Sequence, residues 1–237
     1  MASKIETGHA KNVANFETLI IYSVGFGTTY QPSNPMIALP ALRLKLDSAK
    51  VQLNAVNIAK PSLDEADGTR TLVFKTYRKL STRIMGAITS SGAPSTTIDD
   101  ARTINRRMQG ARAPGSKGKP KEESNSVSQQ SFDMRIEHLD KMVEFLTKMP
   151  DYNPNEEDLK IVGLRDYKTL LTEANNRCKN AYVPYKNSII KRNKSCYEKG
   201  TGLVDIALMT KEYIKSIFGA TSPEYKMVSK LKFRNLE

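Results

Sequence analysis

LPALRLKLDSAKVQLNAV, residues 39–56, decides the fold class. Within it Leu39, Leu42, Leu46, Ala49, Leu53 and Val56 step by 3, 4, 3, 4 and 3, which sets six apolar side chains on one stripe of a 3.6-residue helix. The rhythm returns in Leu164, Tyr167, Leu171, Ala174, Cys178 and Ala181. Such a stripe needs partners to cover it. Val13, Phe16 and Ile20 offer one, echoed by Ile136, Leu139 and Val143; Val73, Tyr77, Leu80 and Ile84 offer another, echoed by Ile206, Thr210, Tyr213 and Ile217. The short β-branched pieces all fall into helical spacing, so the pattern predicts an all-α protein.

The echoes extend to sequence. Phe16-Glu17-Thr18-Leu19-Ile20 aligns with Leu139-Asp140-Lys141-Met142-Val143 at a spacing of 123, and Tyr30-Gln31-Pro32 with Tyr152-Asn153-Pro154 at 122. Val73, Leu80, Ile84, Gly86 and Ala87 align with Ile206, Tyr213, Ile217, Gly219 and Ala220 at 133, which implies an insertion of about 11 residues in the second copy. Copies of this length far exceed solenoid repeats. The expected architecture is a tandem duplication of an antiparallel helical bundle of about four helices: a first bundle over 1–110 and a diverged copy over 132–237. Between them, 111–131 is dense in Pro, Gly, Ser and Lys without apolar periodicity and reads as a flexible basic linker.

Punctuation marks the expected helix ends. Asn34-Pro35 and Ser222-Pro223 each place a capping side chain before a proline whose missing N–H costs nothing in a first turn. Asn155-Glu156-Glu157-Asp158 supplies a cap and three acids for a helix N-terminus, and Thr97-Ile98-Asp99-Asp100 resembles a capping box. Gly86-Ala87 and Gly219-Ala220 are expected to close the third helices, and Asp64, Glu65 and Asp67 before Gly68 to form a loop.

Thirty-seven basic against twenty-five acidic residues give a net charge of +12, which raises the question of a polyanionic partner. The excess is spread as +6 over 1–110, +2 over 111–131 and +4 over 132–237, so no segment monopolises it. No apolar run approaches the roughly 20 residues of a membrane-spanning helix, and the polar and acidic residues His9, Lys11, Asn12, Glu6 and Glu17 do not form a secretory leader. A cytoplasmic location is the expectation. Cys178 and Cys196 both lie on helical apolar positions, which favours buried, reduced thiols over a disulfide framework.

Catalytic signals are thin. His9 falls in an N-terminus expected to fray, and His138 beside Glu137 is read as a polar helix surface because adjacent helical residues point about 100° apart. Two histidines and two cysteines form no spaced zinc set, and no metal or other cofactor is expected. Gly25-Phe26-Gly27 and Gly200-Thr201-Gly202 lack the third glycine, lysine and strand of a phosphate loop and read as helix ends. The chain is therefore expected not to be an enzyme.

The strongest functional hint is basic. Lys186, Lys191, Arg192 and Lys194 lie between Tyr185 and Tyr197, a mixture suited to phosphate contact and base stacking. Lys75, Arg78, Lys79 and Arg83 form a second set, and Arg102, Arg106, Arg107, Arg112, Lys117, Lys119 and Lys121 a third. No helix-turn-helix or RNA-recognition signature accompanies them. Lys186, Lys191, Arg192, Lys194, Arg102, Arg106 and Arg107 are the candidate nucleic-acid-binding residues.

Ser126-Val127-Ser128-Gln129-Gln130-Ser131-Phe132-Asp133, Gly202-Leu203-Val204-Asp205 and Phe218-Gly219-Ala220-Thr221-Ser222-Pro223-Glu224-Tyr225 resemble recurring segments of a family of uncharacterised, internally duplicated helical proteins found mainly in Bacteroidetes-type bacteria. The resemblance implies a duplicated helical layout and a bacterial origin, and no activity. The residues themselves point to a non-enzymatic helical scaffold or protein-binding module, with a protein partner or self-association; the alternative is a basic nucleic-acid-binding accessory protein.

Overall fold

The computed structural model describes residues 4–111 and 130–236, and every element in them is helical. The helices are α1 (Lys4–Gly25), α2 (Leu39–Phe74), α3 (Tyr77–Ser90), α4 (Ser95–Gln109), α5 (Phe132–Thr147), α6 (Ile161–Tyr197), α7 (Leu203–Phe218) and α8 (Pro223–Ser229), with short 3₁₀ turns at Gly27–Thr29 and Pro35–Ile37. No helix in the described residues is long and apolar enough to cross a membrane. The linker expected at 111–131 falls, for 112–129, outside the described residues.

Helix α2 has 36 residues and α6 has 37. At about 1.5 Å per residue each spans roughly 55 Å, more than one small core can cover. Each long helix accordingly serves two cores. One compact unit comprises Met1–Ser62 with Tyr182–Glu237, the other Leu63–Ala181. This division differs from the one at 1–110 and 132–237: the chain changes unit inside α2 and again inside α6, beside Pro61 and Pro184.

In the unit of 1–62 and 182–237, Phe16, Leu19 and Ile20 of α1 pack with Leu42, Leu46 and Ala49 of α2, with Cys196 and Tyr197 of α6, and with Leu203, Ala207 and Ile214 of α7. In the unit of 63–181, Phe74 of α2 joins Tyr77, Ile84 and Ile88 of α3, Ala101 and Met108 of α4, Leu139, Met142 and Leu146 of α5, and Leu164 and Leu171 of α6. The stripe that decides the fold class is thus core: Leu42, Leu46, Ala49 and Val56 are buried.

Several expected boundaries move. Asp64, Glu65, Asp67 and Gly68 lie inside α2 rather than in a loop. Helix continues there despite Pro61 and Gly68 because tertiary burial overrides propensity; Ala66 is buried on the same helix, and Arg70 pairs with Asp67 one turn away. Gly86 and Ala87 are interior to α3, whereas Gly219 caps α7 at φ 88°. Asn155 to Asp158 precede α6 in a turn, and α4 starts at Ser95 without the expected capping box. Asn34 and Ser222 do cap, accepting hydrogen bonds from the Met36 and Tyr225 amides. Gly25 closes α1, and Gly200 (φ 78°) and Gly202 turn the chain from α6 into α7.

The spacing of 133 also gives way, since Val73 belongs to α2 and Ile206 to α7. Burial matches at 126 instead: Tyr77, Leu80, Ser81, Ile84 and Ile88 are buried in α3, and so are Leu203, Ile206, Ala207, Thr210 and Ile214 in α7.

Candidate functional site

The basic and aromatic region between Tyr185 and Tyr197 separates into two faces of α6. Ser188, Arg192 and Cys196 recur every four residues and are all buried, so Arg192 (3% exposed) points into its unit rather than toward solvent. Its Nε and Nη2 donate to Asn193 Oδ1 at 3.1 and 2.9 Å. Burial pushes the neighbouring Cys196 thiol up, opposed by the charges of Arg192 and Lys45. Tyr197 is buried too, which removes it as a stacking ring. Of the expected nucleic-acid-binding residues on α6, Arg192 is thus the buried one, and Tyr197, expected as a stacking ring, is buried on the same helix.

On the outer half of α6, Lys186, Lys191 and Lys194 are exposed. The Lys186 ammonium sits 5.4 Å from the centre of the Tyr182 ring, and Lys194 lies 3.7 Å from Glu198. Arg102, Arg106 and Arg107 belong to the other compact unit. Arg102 pairs with Asp99 at 2.8 Å, while Arg106 and Arg107 occupy the last turn of α4, where the helix dipole favours cations. Arg83, of the second basic set, is held by both carboxylate oxygens of Asp158, which keeps that carboxyl below its usual range. Arg83 also lines an open groove of about 530 Å³ with Gly86, Ser90, Tyr152 and Glu156.

Both histidines are buried, against the expectation of a frayed end and a polar surface. His9 is 1% exposed, and its Nδ1 is hydrogen-bonded to the Tyr197 hydroxyl. Asn12 completes this node by donating to the Tyr197 oxygen at 3.4 Å. In the other unit His138 is 2% exposed, and neither ring nitrogen has a hydrogen-bond partner. Desolvation lowers its pKa; Lys141 and Arg107 lower it further, and Glu137 opposes them. Among the described residues no group of three histidine, cysteine or acidic side chains could hold a metal ion.

A feature passed over in the sequence stands on the outer face of α2. Leu44, Val51 and Ile58 are spaced by seven residues and are 72, 62 and 66% exposed. Arg43 and Lys50 precede the first two, and Lys50 is paired with Glu17 of α1 at 2.6 Å. The signal was present in residues 39–58 but runs along the face opposite the stripe that forms the core. The protein is all-helical, with His9, His138, Arg192 and Tyr197 buried and Leu44, Val51 and Ile58 exposed. Comparison with family models, curated proteins and solved structures returns no match.

Proposed function

We propose that this chain is a non-enzymatic helical scaffold that docks protein partners on the outer face of α2. The observation that carries the reading is the exposed row Leu44, Val51 and Ile58. Leu44, Val51 and Ile58 repeat at one heptad position with Asp47, Ser48 and Asn54 between them, so a partner helix on this face meets apolar and polar contacts in turn, all within one compact unit. Arg43, exposed beside the row, favours a partner helix with an acidic residue next to its apolar positions, whereas Lys50 is already paired with Glu17. A duplicated origin for the two units is supported by matched burial in α3 and α7, in keeping with the family resemblance.

The test is capture from native lysate by the parent chain and by the Val51→Asp/Ile58→Asp variant, each with nuclease and mock treatment. A protein captured by the parent, retained after nuclease and lost with the variant supports the reading; capture that the variant leaves intact overturns it.

The alternative is a nucleic-acid-binding accessory role. It is favoured by Lys186, Lys191 and Lys194, which fall within about 140° of arc on the exposed side of α6. Here binding to RNA or DNA weakens steeply with salt, and neutralising Lys191 and Lys194 flattens the dependence. Absence of binding at low salt excludes it.

A further inference from the structure

The segment Lys230–Leu236 follows α8 without helical structure and is held in the manner of a bound peptide. Asn12 of α1 grips the Arg234 backbone at two points: its Nδ2 donates to the Arg234 carbonyl at 2.7 Å, and its Oδ1 accepts from the Arg234 amide at 3.1 Å. Asn15, one turn along α1, donates to the Lys232 carbonyl at 2.7 Å. Lys211 of α7 donates to the carbonyls of Leu231 and Ser229 at 3.0 and 3.3 Å. Three side chains thus read main-chain groups and leave the segment's own side chains to set specificity.

Those side chains sort by face. Leu231, Phe233 and Leu236 are half-buried and packed against the core that contains α1 and α7, whereas Lys232 and Arg234 are exposed. The floor is shaped for this occupant: a Cβ added at Gly8 would stand 2.6 Å from Leu236 Cδ1. The groove therefore has main-chain readers, apolar seats for three side chains and a notch at Gly8.

We infer that the α1/α7 groove is a peptide-binding site filled in cis by Lys230–Leu236, and that it accepts the same segment from a second copy of the chain. The segment makes these contacts within its own chain, and every copy carries it. Reciprocal exchange makes the same hydrogen bonds and apolar contacts in both arrangements, so concentration decides between them, and the product is a closed twofold dimer. The surface is separate from the apolar row on α2 and does not depend on it.

Full-length chains carrying Gly8→Cys are mixed with chains carrying Leu236→Cys under mild oxidation, and linked peptides are mapped by mass spectrometry. The new Cβ at position 8 crowds that chain's own Leu236, while a second copy carrying Leu236→Cys lacks the clashing Cδ atoms. The expected result at several hundred micromolar is an interchain 8–236 link. Adding Asn12→Ala to the Gly8→Cys chain should reduce it at least tenfold, as should excess peptide KLKFRNLE. The Gly8→Cys/Leu236→Cys double variant, dilute, should close the link within one chain. No interchain link, a link indifferent to Asn12→Ala and to the peptide, or failure of the double variant to close overturns the inference.

Discussion

The Tyr30 hydroxyl donates to the carbonyl of Ile37 at 2.6 Å, seven residues on, and Tyr152 does the same to Leu159 at 2.8 Å. Each bond crosses the turn that leads into a long helix, and each phenol is buried. Burial is the main cause that pushes both hydroxyls up to about 12.

Replacing either tyrosine with phenylalanine strips a buried carbonyl of its partner and should cost about 1–2 kcal/mol in urea unfolding. A pH effect accompanies it. The unfolded chain ionises these phenols near pH 10 while the folded chain keeps the protons, so their contribution is present below pH 10 and fades as pH rises toward 12. Tyr30→Phe/Tyr152→Phe should therefore lose less stability than the parent between pH 9 and pH 11. An equal loss in both proteins would contradict the assignment.

His138 works in the opposite pH range. The fold lowers its pKa below the ordinary 6.5, so as pH falls through 6.5 the unfolded chain takes up a proton that the folded chain resists. Stability is full above 6.5 and declines below it. His138→Leu removes two unpartnered ring nitrogens from a helix interface and should be neutral or stabilising at pH 7.5. Urea midpoints at pH 7.5 and pH 5.0 should lie closer together in the variant than in the parent.

Arg192 and its exposed neighbours offer a direct contrast. Arg192→Ala removes a buried side chain and its charge-assisted hydrogen bonds and should cost about 1.5–3 kcal/mol. Lys191→Ala and Lys194→Ala, on the solvent face, should each stay within about 0.5 kcal/mol. Equal effects in urea titrations would show that the three residues share one environment.

Helical spacing made the all-α class and most of the core legible, because Leu42, Leu46, Ala49, Leu164 and Leu171 obey a rule that acts within a few turns. It also placed Arg192 on a buried row, between Ser188 and Cys196 at steps of four. Charge obscured that position, since a lone arginine ordinarily faces water. The His9–Tyr197 bond joins residues 188 apart, and the Asn12 clamp on Arg234 joins residues 222 apart. No local pattern encodes such pairings. The compact units were hidden for a related reason: a helix that serves two cores carries two apolar stripes in succession, and Pro61 with Gly68 resembles the break between them.

Glycine substitutions test that continuity. Gly68 lies in α2 and Gly86 in α3, both exposed, and an added Cβ meets nothing within 4 Å at either. Alanine there should stabilise by about 1 kcal/mol each, the usual difference between the two residues in a helix interior. Were residue 68 in a loop, Gly68→Ala would bring no such gain. Gly163 near the start of α6 is different, because its added Cβ would stand 2.2 Å from the Glu157 backbone oxygen. That oxygen belongs to the turn before the helix and cannot swing aside as a side chain can. Gly163→Ala should therefore destabilise by about 2 kcal/mol or more despite its better helix propensity. Urea unfolding of the three variants should give two gains and one loss, and a gain at position 163 would show that the turn over α6 is not seated against it.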